Sequence, residues 1–223
     1  MTLTFAVVPT HNRPAELRQM LKSLGLPRDR VLVIDNASTP PVADVEAVVV
    51  RDEEQPPNLS RLWNIGLDWA HEQAAGEKYA VAVLNDDLVL PQGFMDAMVD
   101  ALGRYGATIA YPDRSGRGTD WHNTEQGPVL MANRMTGYAF VLDGTANLRA
   151  DERLRWWYGD DDLEWQAQAL GGTVLVGGVT IEHLHHNTST EQNPVLRAQT
   201  EVDEQEFIAK WGRSSWDYRP PAS

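Results

Sequence analysis

The chain has 223 residues, with 19 Lys and Arg against 32 Asp and Glu, a net charge of −13 and no cysteine. A chain of this length buries roughly 70% of its unfolded surface without a disulfide or structural metal, and the absence of thiols excludes Cys nucleophiles and thiolate metal sites. The acidic balance disfavours non-specific nucleic-acid or anionic-membrane binding, and no apolar run approaches the roughly 20 residues of a membrane span. No secretory leader pattern is visible either, so a cytoplasmic protein is expected.

The first half alternates strand and helix signals. Residues 3–8 form a mostly apolar strand. A helix follows from Pro14, with Leu17, Met20, Leu21 and Leu24 at i, i+3, i+4, i+7 spacing and Gly25 at its end. Residues 31–34 and 47–50 read as further strands, 59–75 as a helix, 79–84 as a strand and 91–102 as a helix. Apolar strands separated by amphipathic helices predict a mostly parallel sheet with right-handed crossovers and helices on both faces. The second half is less regular. Strands are expected over 108–111 and 135–142, a loop over 113–127, and a helix over 162–170. A strand pair broken at Gly177-Gly178 and a helix over 191–211 follow. With no repeat or low-complexity linker, a single domain over 1–212 is expected, followed by a polar tail over 213–223.

Ligands of an open parallel sheet sit beyond the carboxyl ends of its strands. Three polar clusters fall there: Pro9-Thr10-His11-Asn12-Arg13, Asp35-Asn36-Ala37-Ser38 and Asn85-Asp86-Asp87. Each alone reads equally well as a turn, because Asn and Asp side chains bond their own backbone; their concentration at one edge favours a site. Neither the Gly-x-Gly-x-x-Gly fingerprint nor a P-loop is present. A diphosphate would instead be held through a divalent cation on carboxylates.

These clusters, in order, resemble the strand-end motifs of family 2 inverting glycosyltransferases of the GT-A fold. The likeness continues at Trp63-Asn64-Ile65-Gly66, at residues 135–141 and at Gly159-Asp160-Asp161-Asp162-Leu163, and covers roughly 3–190. Its closest flavour is the rhamnosyltransferase-like branch. The resemblance implies a Rossmann-like central sheet with a small second sheet near the acceptor side. It divides the domain into a nucleotide-sugar half, 1–105, and an acceptor half, 106–212. The implied donor is a nucleoside diphosphate sugar of UDP or dTDP type, and the acceptor a hydroxyl-bearing glycan, lipid-linked glycan or other molecule. Pro9, Thr10, Asn12, Arg13, Asp35, Asn64, Asn85 and Asp86 become nucleotide-sugar candidates, and Asp87 the ligand of a divalent metal, Mn²⁺ or Mg²⁺. Asn85 departs from the family's Asp-x-Asp and removes one carboxylate.

The family's base registers on Asp160, with Asp161 as the alternative. Asp161 and Glu164 have capping-box spacing, which makes Asp161 the expected N-cap. His183 and His185 share a strand face by period two, with His186 opposite. Either fits a mixed N/O metal site, and His185 is preferred. Trp156 and Trp157 read equally as an acceptor platform or as core, and Gly137 is placed with them on the acceptor side. Residues 113–123, with Arg114, Arg117, Trp121 and His122, read as a flap over the donor or as an exposed loop. Two rivals remain: a nucleotidyltransferase, disfavoured by the Gly-free loop from Pro9 to Pro14, and a non-catalytic nucleotide-sugar binder, made conceivable by Asn85.

Overall fold

In a computed structural model, which describes residues 2–185 and 188–218, the chain forms a mixed α/β structure around one large sheet. The first half runs β1 (Leu3–Thr10), α1 (Pro14–Leu24), β2 (Val31–Asn36), β3 (Val48–Asp52), α2 (Leu59–Ala74), β4 (Tyr79–Leu84), β5 (Leu88–Val89) and α3 (Phe94–Tyr105). The second half runs β6 (Ile109–Pro112), β7 (Trp121–Asn123), β8 (Ala139–Asp143), α4 (Gly159–Gln168), β9 (Thr173–Val176), β10 (Glu182–His183), α5 (Thr188–Gln192) and α6 (Pro194–Trp211).

The main sheet has the order β3-β2-β1-β4-β8-β6-β9-β7. Its strands are mostly parallel; β8 and β7 run against their neighbours. Strand alternation splits the core in two. Ala6 and Val8 pack with Leu17, Met20, Phe94 and Met98 on the α1/α3 face. Phe5 and Val7 pack with Leu62, Trp63, Leu67 and Leu163 on the α2/α4 face. Helix α2 comes so close to β1 that a Cβ on Gly66 would stand 2.0 Å from Val7 Cγ1, so only glycine permits this crossing. A third cluster, Leu154, Tyr158, Trp165 and Phe207, fastens α6 to α4.

Several boundaries differ from the sequence reading. The strand expected over 135–142 begins at Ala139, because residues 131–138 form a short 3-10 turn and an irregular approach. Part of the expected 113–127 loop is β7, which closes the sheet edge against β9. The flap reading therefore does not hold for Trp121 and His122: His122 Nε2 lies 3.0 Å from Gly171 O, at the far edge of the sheet. Helix α4 begins at Gly159 rather than Asp162. The expected strand pair after Gly171-Gly172 is split: β9 joins the main sheet, while β10 pairs with β5 in a separate two-stranded sheet.

Candidate active site

The carboxyl ends of β1, β2 and β4 open into one cleft of about 710 Å³. Register aligns Thr10 of β1 with Asp35 of β2, so these ends are level. Thr10 Oγ1 donates to Asp86 Oδ2 at 2.7 Å, and Arg13 donates to Asp87 Oδ2 at 2.7 Å and to Asp86 Oδ1 at 3.4 Å. Burial pushes the Asp86 carboxyl up to about 6, against the opposing pull of Thr10 and Arg13. Pro9, Thr10, Arg13, Asn85 and Asp86 all line the cleft, so these sequence candidates are brought together.

Asp87 is fully buried. Its Oδ1 makes no well-formed hydrogen bond and faces His183 Nε2 at 3.1 Å. Burial alone would raise this carboxyl, but the facing His183 imidazole and the Arg13 guanidinium outweigh it and hold the group below the usual carboxylate range. His185, preferred from the sequence, also lines the cleft, but it meets Glu16 rather than Asp87, with Nε2 3.4 Å from Glu16 Oε1. The reason is local. Pairing of His183 with Leu88 aims His183 at Asp87, and Leu184 N donates to Asp87 O at 3.0 Å. The strand ends at His183, so period two no longer carries His185 to the same place. His186 lies outside the described residues. Among the described residues no three carboxylate or imidazole groups converge on a point. The buried Asp87 oxygen and the facing imidazole fit a divalent ion that takes its other ligands from substrate phosphate and water.

Three other nucleotide-sugar candidates do not line the cleft. Asp35, 1% exposed, accepts from Ser38 N and Val42 N at 3.0 Å and from Arg51 Nη1 at 2.6 Å. Burial raises its carboxyl, yet these bonds together hold it below its ordinary value. Asp35 thus braces the 37–42 loop. Asn12 accepts from Thr39 N at 2.7 Å, and its own N–H donates to Ser38 Oγ at 3.0 Å, which ties the first loop to the second. Asn64 is spent on Ala150: its Nδ2 donates to the carbonyl at 2.9 Å, and its Oδ1 accepts from the N–H at 3.0 Å. His11, Asn36 and Gln55 line this end of the cleft instead. Gln55 Nε2 donates to Asn36 Oδ1 at 2.8 Å. Asn36 sits within a motif visible in the sequence; Gln55 had no such signal.

The acidic run at the start of α4 sends three carboxylates in three directions, as the roughly 100° turn per helical residue requires. Asp160 is half-buried and lines the cleft beside Gly137, where an added Cβ would stand 3.2 Å from Asp160 Oδ2. Burial, and then the Asp161 charge, push the Asp160 carboxyl up to about 7. Asp161 accepts a bidentate pair from Arg134, Nε to Oδ1 at 2.7 Å and Nη2 to Oδ2 at 2.5 Å. Asp162 turns inward, accepting from Trp211 Nε1 at 2.9 Å and pairing with Lys210 Nζ at 2.7 Å. The expected N-cap at Asp161 is therefore corrected. Tyr158 precedes the helix with φ 65°, and no side chain caps it. Glu164 is buried and pushed up to about 8 by desolvation and then by Asp161. It accepts weakly, at 3.4 Å, from Met135 N.

Arg134 is 7% exposed and carries no motif signal, yet it organises this corner. Beyond Asp161, its Nη2 donates to Ser215 Oγ at 2.6 Å, and its guanidinium lies 3.8 Å from the Trp216 ring centre. Segment 214–218, read as a polar tail, thus folds back over the cleft wall. A buried carboxylate on α6 sets the aromatic wall: Asp203 accepts from Arg155 N at 3.0 Å and from Trp156 N and Trp157 N at 2.8 Å. Both indoles line the cleft, and Trp156 Nε1 donates to Thr190 Oγ1 at 2.8 Å.

A comparison with curated proteins finds no match. Among solved structures, that of S. aureus TarS residues 1–349 superposes with a TM-score of 0.55 at 13% identity, over 97% of this chain and 74% of that one. A structure of the same TarS fragment in complex with UDP-GlcNAc gives 0.54 at 13% identity, over 97% and 74%. GalNAc-T7, solved with UDP, GalNAc and Mn²⁺, gives 0.60 at 13% identity over 83% of this chain, which spans only 44% of GalNAc-T7. At these identities the likeness establishes the shared fold. A family model described as Glycosyl transferase family 2 matches residues 5–146, from β1 through β8, and includes all three strand-end clusters. The chain belongs to glycosyl transferase family 2.

Proposed function

We propose that the cleft binds a nucleoside diphosphate sugar and that Asp160 is the general base for transfer of the sugar to an acceptor hydroxyl. The observation that carries this is one continuous cleft. It is lined by Thr10, Arg13 and Asp86 and also by Asp160, a half-buried carboxyl at about 7 that makes no salt bridge among the described residues. TarS and GalNAc-T7 structures contain UDP or a UDP-sugar, which supports a uridine donor of UDP type over a dTDP type. Residues 1–105 then form the donor half and 106–212 the acceptor half.

His11, Asn36 and Gln55 face the nucleoside, with the 37–42 loop braced behind them by Asp35. Arg13 donates to the phosphates. Asp87 and His183 hold a divalent ion, which supplies charge neutralisation of the leaving diphosphate when bound. Asp160 accepts the acceptor proton as the hydroxyl oxygen bonds to the anomeric carbon and the bond to the diphosphate breaks. A single displacement of this kind inverts the anomeric centre. Asp161 is a poor base, because its charge is committed to Arg134; its role is to raise Asp160 and anchor Arg134.

A thermal-shift panel of nucleoside diphosphate sugars, with and without Mn²⁺, tests the reading. A single stabilising donor, released as nucleoside diphosphate with acceptor present, supports it. Stabilisation by nucleoside triphosphate with release of pyrophosphate would favour the nucleotidyltransferase.

A further inference from the structure

We propose that the acceptor is an uncharged or amino-sugar oligosaccharide of at least two units, whose second unit occupies a separate hollow behind Trp157 and Trp216. The inference rests on the glycosyltransferase reading above and adds the acceptor class. The hollow measures about 250 Å³. Trp157, Thr190 and Trp216 wall both it and the main cleft, so the two are neighbours through a shared partition.

Its chemistry is that of a saccharide subsite. Two indoles present flat apolar surface to the C–H face of a pyranose. Thr200 and the carboxylates of Glu201 and Glu204 supply the polar side, and a carboxylate can only accept, which suits sugar hydroxyls and ammonium groups. Among the described residues lining the hollow there is no Arg or Lys, so a phosphate or uronate would meet two carboxylates without a counter-charge. A lipid tail would have to desolvate the same two carboxylates.

The aromatic walls are held in place before any ligand arrives. Asp203 fixes the backbone at Trp156 and Trp157, and Arg134 lies against Trp216 while gripping Asp161 next to the base. Trp216 nevertheless stays 47% exposed, an unusual state for the largest side chain. A sugar in the hollow therefore contacts the same Trp216 whose ring packs against Arg134, and Arg134 in turn pairs with Asp161, the neighbour of Asp160.

The test uses the full chain and a defined glycan panel. The probes are glucose, N-acetylglucosamine and rhamnose, their di- to tetrasaccharides, chitosan oligomers, and uronate or phosphorylated counterparts. Binding is read by saturation-transfer NMR, and UDP with Mn²⁺ is titrated in parallel by calorimetry. Neutral or amino-sugar oligosaccharides should bind at least tenfold tighter than their monosaccharides. Trp216→Ala should weaken oligosaccharide binding about tenfold, the usual scale of one lost aromatic stacking contact. Thr200→Trp, which fills the hollow from the α6 surface, should erase the chain-length preference even if Trp216→Ala proves unstable. The proposal is overturned by equal affinity for mono- and oligosaccharides, by preference for anionic glycans, by no panel member binding while UDP does, or by a chain-length preference that survives Thr200→Trp. Loss of UDP binding in the parent protein would instead count against the donor reading.

Discussion

Replacing Asp160 and Asp161 by Asn separates a base from a structural anchor one residue away. Asp160 is half-buried in the cleft, and its carboxyl is pushed up to about 7, so ionisation there costs the folded state free energy. Asp160→Asn removes that cost. Its stability at pH 8 should equal or exceed the parent's, while turnover falls by about 10²–10⁴, the usual contribution of a positioned base. Asp161 is different. Its side chain is 4% exposed and paired bidentately with the likewise buried side chain of Arg134. Asp161→Asn leaves a buried guanidinium facing a neutral amide. Breaking one side of such a pair costs about 3–5 kcal/mol, lowered somewhat because Ser215 and Trp216 still contact Arg134. In a chain of this size that is a fall in melting temperature of roughly 6–20 °C. Urea unfolding at pH 8, with donor turnover and calorimetric donor affinity, reads all three quantities. Retained turnover in Asp160→Asn, or parental stability in Asp161→Asn, refutes the assignment.

Other outcomes follow from the same geometry. With acceptor in excess, kcat/KM should rise as pH increases through about 7, because the Asp160 carboxylate is the active form and Asp161, Arg134 and Glu164 surround it; a profile flat from pH 5.5 to 8.5 contradicts this. Stability runs the other way. Asp160 and Glu164 titrate higher folded, at about 7 and 8, than their ordinary 3.8 and 4.5. The stability linked to their protonated forms is full below about pH 4 and is lost as pH rises through 7 and 8. Urea midpoints of Glu164→Gln should show a shallower decline than the parent. His183→Ala should remove the Mn²⁺ enhancement of UDP affinity and His185→Ala should not, as measured by titration with and without metal; equal losses would return His185 to the site. Asp203→Ala removes the acceptor of three half-buried backbone N–H groups at 155–157, each worth up to about 1–3 kcal/mol if left unsatisfied. It should raise acceptor KM more than donor KM, and a change in donor KM alone would dissociate the tryptophans from the acceptor.

Much of the fold was legible because the long strands are unbroken apolar runs and the helices carry a clean 3.6-residue period, as in Leu17, Met20, Leu21 and Leu24. Strands of two or three residues such as β5 and β7 carry too little pattern to be read; β10 falls within the expected strand before His185, but its pairing with β5, which decides where His183 points, leaves no trace in the sequence. The strand-end clusters located the cleft, but not which side chain in each cluster faces it. Asp35 turns to its own loop while Asn36 faces the cavity, a choice made by Arg51 and two backbone N–H groups. The capping-box spacing of Asp161 and Glu164 misled for a similar reason. A buried Arg134, 27 residues upstream of Asp161, claims that carboxylate, and the helix starts earlier without a side-chain cap. Long-range ion pairing leaves no periodic trace, so Arg134, Asp203 and Trp216 become visible only in three dimensions.

In the proposed function, the cleft at the ends of β1, β2 and β4 seats a nucleoside diphosphate with its sugar end toward Asp160. A crystal structure of the full chain soaked with UDP and Mn²⁺ tests it most directly. The uracil should lie against His11, Asn36 and Gln55, the phosphates beside Arg13, and the metal on Asp87 and His183, with the open end of the diphosphate facing Asp160. UDP bound elsewhere, or a diphosphate pointing away from Asp160, would contradict it.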